Sequence, residues 1–158
     1  MNVRVVWGAA SGPTKLSSYD AALAEAGVEN YNLVSVSSIL PADAEVEVVG
    51  TAPDLAPAGH RLTVVEARAT AAGPTSVAAA LGWASGDGPG LLYEAAGEID
   101  EADARERVSR GLAAGKELRD WNFENERVES VIAEAEPGTY VTAVVLAVFG
   151  RGEPIGVP

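Results

Sequence analysis

The sequence contains no cysteine and a single histidine, His60. Without cysteine, disulfide bonds, thiolate nucleophiles and cysteine metal sites are excluded. A site built from several histidines cannot form, and a Ser-His-Asp triad would depend on His60 alone. His60 directly follows Gly59, so we expect it to be a loop or strand-edge residue. We therefore predict no metal site.

Positive charge is also scarce. The chain has 11 lysines and arginines against 23 aspartates and glutamates, which gives a formal net charge of -12. Binding to nucleic acid or to an anionic membrane needs a basic surface, so neither partner is expected. Only Lys15 and Lys116 are lysines. An acidic surplus with little lysine is typical of proteins adapted to high salt, where screening weakens self-repulsion.

Long hydrophobic runs are missing as well. The best apolar stretch covers the twelve residues 139–150, too few to span a bilayer. The first residues do not form a secretory signal, since Arg4 and Gly8 interrupt the apolar run. We expect a soluble, cytoplasmic protein. Its 158 residues, 47% of them hydrophobic, predict one domain over 1–158 with its own core.

The pattern of apolar residues and turn formers predicts an α+β domain with seven or eight strands and two main helices. The first helix is predicted at 18–26, with Ser17 as its N-cap, Asp20 as the third residue after it and Gly27 as its C-terminal stop. The second is predicted at 100–121, capped by Asp100. Its predicted face consists of Ala104, Val108, Gly111, Gly115 and Leu118, and the two glycines on it predict close packing against a sheet. The predicted strands are 2–9, 30–37, 45–49, 61–71, 76–84 and 90–96, and a closing hairpin of 127–135 and 139–149 precedes a loose tail at 150–158.

The segment that carries chemistry is 32–41, Asn-Leu-Val-Ser-Val-Ser-Ser-Ile-Leu-Pro. A Ser-Ser pair at the end of an apolar strand, followed by two apolar residues and proline, resembles the self-processing site of the pyruvoyl-dependent arginine decarboxylase family. The resemblance extends over most of the chain, including the segments 20–27 and 90–94 and the helical region that closes with Trp121.

The resemblance implies that Ser38 becomes the cofactor. Its hydroxyl would attack the Ser37 carbonyl, and elimination would then cut the chain into 1–37 and 38–158. The new terminus of the longer piece would be a covalent pyruvoyl group. This group would form a Schiff base with arginine and accept the electrons released with carbon dioxide, which leaves agmatine. Asn32 is implied as a donor or wall residue of this region.

The family pattern also assigns roles to two acidic residues. Glu94 corresponds to the general acid that returns a proton to the substrate carbon, and its apolar surroundings would raise the pKa of its carboxyl. Asp20 corresponds to the residue that binds the guanidinium group, which a carboxylate can accept through two parallel hydrogen bonds. Each also has a structural alternative. Glu94 could point to solvent from a strand, and Asp20 could serve its own helix end.

Further positions match the pocket wall of the family. Leu16 and Ile39 correspond to apolar lining residues, and Ser37 would keep its new carboxylate near the site. Glu29 and Tyr31 depart from the smaller or aliphatic residues that the pattern favours, which bears on substrate preference.

The fold implied by the resemblance is a layered αββα sandwich of mostly antiparallel sheets. The implied assembly is a homotrimer or two stacked trimers, with pockets between subunits and a place in polyamine metabolism. Two alternatives remain open at this stage: the same machinery acting on another amino acid, and a non-cleaving, non-catalytic subunit with the same fold.

Overall fold

The computed structural model describes residues 1–156, which form nine strands and two helices within that range. The elements in chain order are β1 (Asn2–Gly12), α1 (Lys15–Ala26), β2 (Asn32–Ser35), β3 (Ile39–Leu40), β4 (Glu45–Gly50), β5 (Arg61–Ala72), β6 (Thr75–Ser85), β7 (Gly90–Gly97), α2 (Glu101–Glu117), β8 (Asn125–Ala135) and β9 (Tyr140–Glu153). The α+β class is confirmed.

The strands form two sheets. The first sheet has the order β2-β5-β9-β1-β4, and the second has the order β3-β7-β6-β8. All pairs are antiparallel except β1 with β4 and β2 with β5. The long central pairings run in register over most of their length, for example Trp7 with Val145 and Ala80 with Ser130. The prediction of mostly antiparallel sheets is confirmed.

Alternating side chains divide the core into three layers. On β5, Val64 packs toward α1, whereas Val65 packs between the two sheets. On β7, Leu92 faces the first sheet, and Leu91 packs against α2. Because each sheet is apolar on both faces, a helix must cover each outer face. The order of layers is therefore α1, first sheet, second sheet, α2, which is the expected αββα sandwich.

The start of α1 differs from the prediction. Thr14 is the N-cap, and its side chain accepts a hydrogen bond from the Ser17 backbone N–H at 3.0 Å. Ser17 is therefore the third helical residue, and its own hydroxyl completes a capping box with Thr14. The prediction of Ser17 as cap and Asp20 as third residue was wrong, because threonine caps a helix as well as serine does. Gly27 ends the helix at φ 80°, as predicted.

Helix α2 packs closely on β7, as its glycines predicted. A Cβ atom added to Gly111 would lie 2.5 Å from Cδ1 of Tyr93, and one added to Gly115 would lie 2.8 Å from the Tyr93 hydroxyl. Asp100 is the N-cap, as expected. The predicted helix face is wrong at one position, because Leu118 lies beyond the helix and is 78% exposed, whereas Leu112 is buried.

The C-terminal region also departs from the prediction. Strands β8 and β9 do not form a hairpin with each other, because β8 pairs with β6 in the second sheet and β9 pairs with β1 and β5 in the first. The turn at Pro137 and Gly138 instead carries the chain from one sheet to the other. The predicted loose tail is shorter than expected, since β9 continues to Glu153. Val157 and Pro158 lie outside the described residues.

Candidate active site

The Ser37–Ser38 bond lies where the chain crosses between the two sheets. Strand β2 ends at Ser35, and the Val36 N–H still donates to Val64 O of the first sheet at 2.9 Å. Two residues later, Ser38 O accepts a hydrogen bond from the Leu92 N–H of the second sheet at 2.8 Å. Leu40 then anchors β3 in the core between the sheets. Both ends of the crossing are thus fixed by hydrogen bonds.

Glu94 faces this crossing. It lies on the same face of β7 as Leu92 and Ala96, which pack in the layer between the sheets. The Ser38 hydroxyl donates to Oε2 of Glu94 at 3.5 Å. The two predicted residues, which are 56 positions apart in sequence, are therefore brought together in one chain.

The environment of Glu94 favours its neutral form. Removal of water by the surrounding protein raises the pKa of the Glu94 carboxyl, and the hydrogen bond from Ser38 lowers it by less. The side chain nevertheless reaches solvent in the single chain. A carboxyl group of this kind can hold a proton at a higher pH than a fully hydrated one, as a proton donor must.

Asp20 and Leu16 lie elsewhere in the chain. Both are exposed on α1, and Leu16 is 75% exposed. Helix α1 covers the outer face of the first sheet, so that sheet separates these two residues from Glu94. Because Thr14 and Ser17 form the helix cap, the Asp20 carboxylate is not used at the helix end. It has no hydrogen-bond or ion-pair partner within residues 1–156. Its expected role in binding a guanidinium group stays a prediction.

Asn32 is also distant from Ser38 along the strand. It begins β2, and at about 3.3 Å per residue the extended run to Val36 separates the two by more than 10 Å. Its side-chain amide donates to Gly59 O at 2.7 Å. A single chain therefore does not bring Asn32 to Ser38, and its role stays a prediction.

The expected wall residues have different surroundings. Ile39 is 41% exposed, next to the crossing, and Ser37 is exposed. Tyr31 belongs to the core under α1, where its hydroxyl accepts from the Leu55 N–H at 3.0 Å. This burial gives Tyr31 a structural reason to depart from the family pattern. Glu29 is exposed.

The chain resembles characterised proteins over nearly its whole length. The family model described as pyruvoyl-dependent arginine decarboxylase matches residues 2–154. The chain is 49% identical to a pyruvoyl-dependent arginine decarboxylase of Halobacterium salinarum over 154 residues, which cover 97% of this chain and 96% of the relative. It is 34% identical to the protein of that name from Pyrococcus horikoshii, over 87% of this chain and 89% of the relative.

The chain belongs to the pyruvoyl-dependent arginine decarboxylase family. This confirms the resemblance that was based on the Ser-Ser-Ile-Leu-Pro segment, together with the decarboxylase class and the covalent pyruvoyl cofactor. The similarity to a protein of the halophilic Halobacterium agrees with the acidic, lysine-poor composition.

The residues present fit a pyruvoyl group of this family. The group is made from a serine, and Ser38 stands at a crossing that is fixed on both sides. A carboxyl group with a raised pKa lies within reach of its hydroxyl. Within residues 1–156, no cluster of three or more histidine, aspartate or glutamate side chains has the arrangement of a metal site. No helix in that range is long and apolar enough to cross a membrane.

Sequence reasoning missed one feature of this pyruvoyl-dependent decarboxylase, a pair of side chains beside Leu16. The ring of Tyr19 lies under the guanidinium group of Arg68, with 4.3 Å from Cζ to the ring centroid. The sequence predicted a helix only from residue 18, so it did not place Leu16 on one face with Tyr19, whereas the helix begins at Lys15. Nothing in the sequence indicated that β5 would bring Arg68 to that face.

Proposed function

We propose that this chain cleaves itself between Ser37 and Ser38 and then converts arginine to agmatine and carbon dioxide. The observation that carries the proposal is the contact of the Ser38 hydroxyl with the Glu94 carboxyl at 3.5 Å. It joins the residue that would supply the cofactor to the residue that would supply the proton. Relatives that are named arginine decarboxylases support the choice of substrate.

Self-cleavage would use the Ser37 carbonyl, the Ser38 hydroxyl and water. The Ser38 hydroxyl oxygen attacks the Ser37 carbonyl carbon, and the peptide C–N bond breaks to leave an ester and a free amine. Elimination then removes the Cα proton of Ser38 to water and breaks its Cβ–Oγ bond, which gives a Ser37 carboxylate and a dehydroalanine. Addition of water to the dehydroalanine releases ammonia and leaves the pyruvoyl group. The former Oγ of Ser38 remains in the Ser37 carboxylate.

This transfer of oxygen bears on the protonation of Glu94. The atom that contacts Glu94 at 3.5 Å in the intact chain becomes part of a carboxylate after cleavage. Two carboxyl groups that lie this close together do not both ionise readily. The new negative charge on Ser37 would therefore raise the pKa of Glu94 further. Cleavage would thereby help to keep the general acid protonated.

The pyruvoyl carbonyl, once formed, supplies an electrophile for the substrate amine and an acceptor for the electrons released with carbon dioxide. Glu94 holds the proton that the substrate carbon then takes up. Asp20 accepts the guanidinium hydrogen bonds, and the apolar side chains of Leu16 and Ile39 cover the methylene groups. Partial burial of Glu94 raises the pKa of its carboxyl and so favours the protonated form.

One chain cannot assemble this site, because the first sheet separates Asp20 and Leu16 from Ser38 and Glu94. We propose that a neighbouring copy supplies the α1 side, in a homotrimer or in two stacked trimers. The exposed apolar side chains near both halves support such an interface, since Leu16, Val36 and Ile39 are 75%, 43% and 41% exposed. The same proposal places the enzyme in the cytoplasm, where an amino-acid substrate is at hand.

The test of the proposal is the mass of the denatured protein. We expect the wild type to give two chains, 1–37 and 38–158, the longer one with a pyruvoyl terminus, and we expect Ser38→Ala to give one uncleaved chain. Ser35→Ala, at the exposed end of β2, is the matched control and should cleave as the wild type does. Cleavage of Ser38→Ala at the same bond would refute the mechanism. A cleaved wild type that releases carbon dioxide from another amino acid but not from arginine would refute the substrate.

A further inference from the structure

A cleft with two basic side chains lies beside Leu16. Its volume is about 430 Å³, and its lining consists of Lys15, Leu16, Tyr19, Arg68 and Thr70. Among the described residues, no aspartate or glutamate lines this cleft. In a chain of net charge -12, two of the 11 basic residues therefore meet in one cleft. Such a local excess of positive charge suits an anion.

Arg68 is held in place while part of its guanidinium group stays free. Its Cζ atom lies 4.3 Å from the centroid of the Tyr19 ring, and its Nη1 lies 4.0 Å from Oε1 of Glu66. The Tyr19 hydroxyl donates to Oε2 of the same glutamate at 2.7 Å. Burial, with the bond to Glu66, raises the pKa of Tyr19 to about 12, so the hydroxyl keeps its proton. The Arg68 side chain is still 50% exposed.

A second cleft on the same helix carries the opposite charge. Its volume is about 490 Å³, and its lining consists of Thr14, Leu16, Ser17, Tyr19, Asp20 and Leu23. The two clefts share Leu16 and Tyr19, which form an apolar ridge between them. The surface around this ridge thus has Asp20 on one side, and on the other side Lys15 and Arg68, of which Arg68 is partly neutralised by Glu66.

We propose that Arg68, assisted by Lys15, binds the α-carboxylate of the substrate and sets its orientation on α1. This inference rests on the proposed function. Arginine is itself dipolar along its length: a guanidinium group at one end, methylene groups in the middle and a carboxylate at the other end. The guanidinium faces Asp20, the methylene groups lie on Leu16 and the Tyr19 ring, and the carboxylate faces Arg68. The reverse orientation would place like charges together at both ends.

This arrangement distinguishes substrate from product. Agmatine keeps the guanidinium group but has lost the carboxylate as carbon dioxide. Arg68 therefore contributes to the binding of arginine and not to the binding of agmatine. Loss of the carboxylate would also weaken the hold on the product and favour its release.

The test compares two constants in the processed enzyme: the KM for arginine and the inhibition constant of agmatine. We expect Arg68→Met to raise the KM for arginine about tenfold or more, because the substrate carboxylate would lose one charge-assisted hydrogen bond. The inhibition constant of agmatine should stay within about twofold of the wild type. Lys15→Met should act in the same direction with a smaller effect, and Arg68→Lys should recover part of the loss.

Tyr19→Phe tests whether Arg68 only supports the position of α1. This change keeps the ring under Arg68 but removes the hydrogen bond to Glu66. A shift of α1 would change both constants together. An unchanged KM in Arg68→Met, or equal changes in both constants, would overturn the inference and leave the proposed function intact. If Arg68→Met does not fold, Lys15→Met alone decides by the same comparison. A processed wild type without turnover of arginine would overturn both proposals.

Discussion

Replacement of Glu94 by glutamine removes the proposed proton and little else. Glutamine has nearly the same shape and can still accept the hydrogen bond from Ser38, which at 3.5 Å is a long one. The loss of such a bond would cost at most about 0.5–1.5 kcal/mol of stability. We therefore expect Glu94→Gln to fold and to cleave between Ser37 and Ser38.

Turnover should respond much more strongly. A positioned general acid contributes about 10²–10⁴-fold in rate, which corresponds to about 3–5 kcal/mol of barrier height. We expect kcat for arginine to fall within that range in Glu94→Gln. Release of labelled carbon dioxide measures turnover, and the mass of the denatured chains measures processing in the same samples.

The pH dependence follows from the raised pKa of Glu94. The acid donates only in its protonated form, so wild-type turnover should fall as the pH rises through that pKa, at a higher pH than for an ordinary glutamate. The residual turnover of Glu94→Gln should lack this decline. Glu98→Gln is the matched control, since Glu98 is exposed and its side chain accepts a hydrogen bond from Thr75, away from Ser38, and we expect its turnover to be unchanged. A Glu94→Gln enzyme within tenfold of the wild type, with the same pH profile, would refute the assignment.

Three further results are expected. Asp20→Asn should cleave normally but lose about 2–5 kcal/mol of substrate binding, seen as a higher KM, and an unchanged KM would exclude its role. Assembly of Asp20→Asn chains with Glu94→Gln chains should restore part of the activity if each site takes residues from two copies, whereas no recovery in verified mixed oligomers would place the site within one chain. Leu112→Ala, at a position that is 0% exposed, should cost about 2–5 kcal/mol in denaturant unfolding, whereas Leu118→Ala, at 78% exposure, should cost about 0.5 kcal/mol or less.

The local elements of this protein could be read from its sequence. Gly27 and Asp100 mark the ends of helices through their own backbone and side-chain chemistry. Gly111 and Gly115 indicated close helix–sheet packing, although not that Tyr93 would be the side chain packed against them. The Ser37–Ser38 pair and Pro41 carried the resemblance to the family, because that pattern consists of residues adjacent in the chain.

Tertiary structure decided everything that depends on residues far apart in sequence. The turn at Pro137 and Gly138 predicts a hairpin, but the sheet to which each flanking strand belongs is set by apolar faces contributed from the whole chain. The same holds for the sites. Only the pairing of β3 with β7 brings Glu94 to Ser38, and only the packing of α1 on β5 brings Arg68 over Tyr19. The sequence by itself determined which groups are available for chemistry. The packing of the two sheets against each other determined which of these groups lie side by side, because a strand carries no local signal for the partner that it will contact.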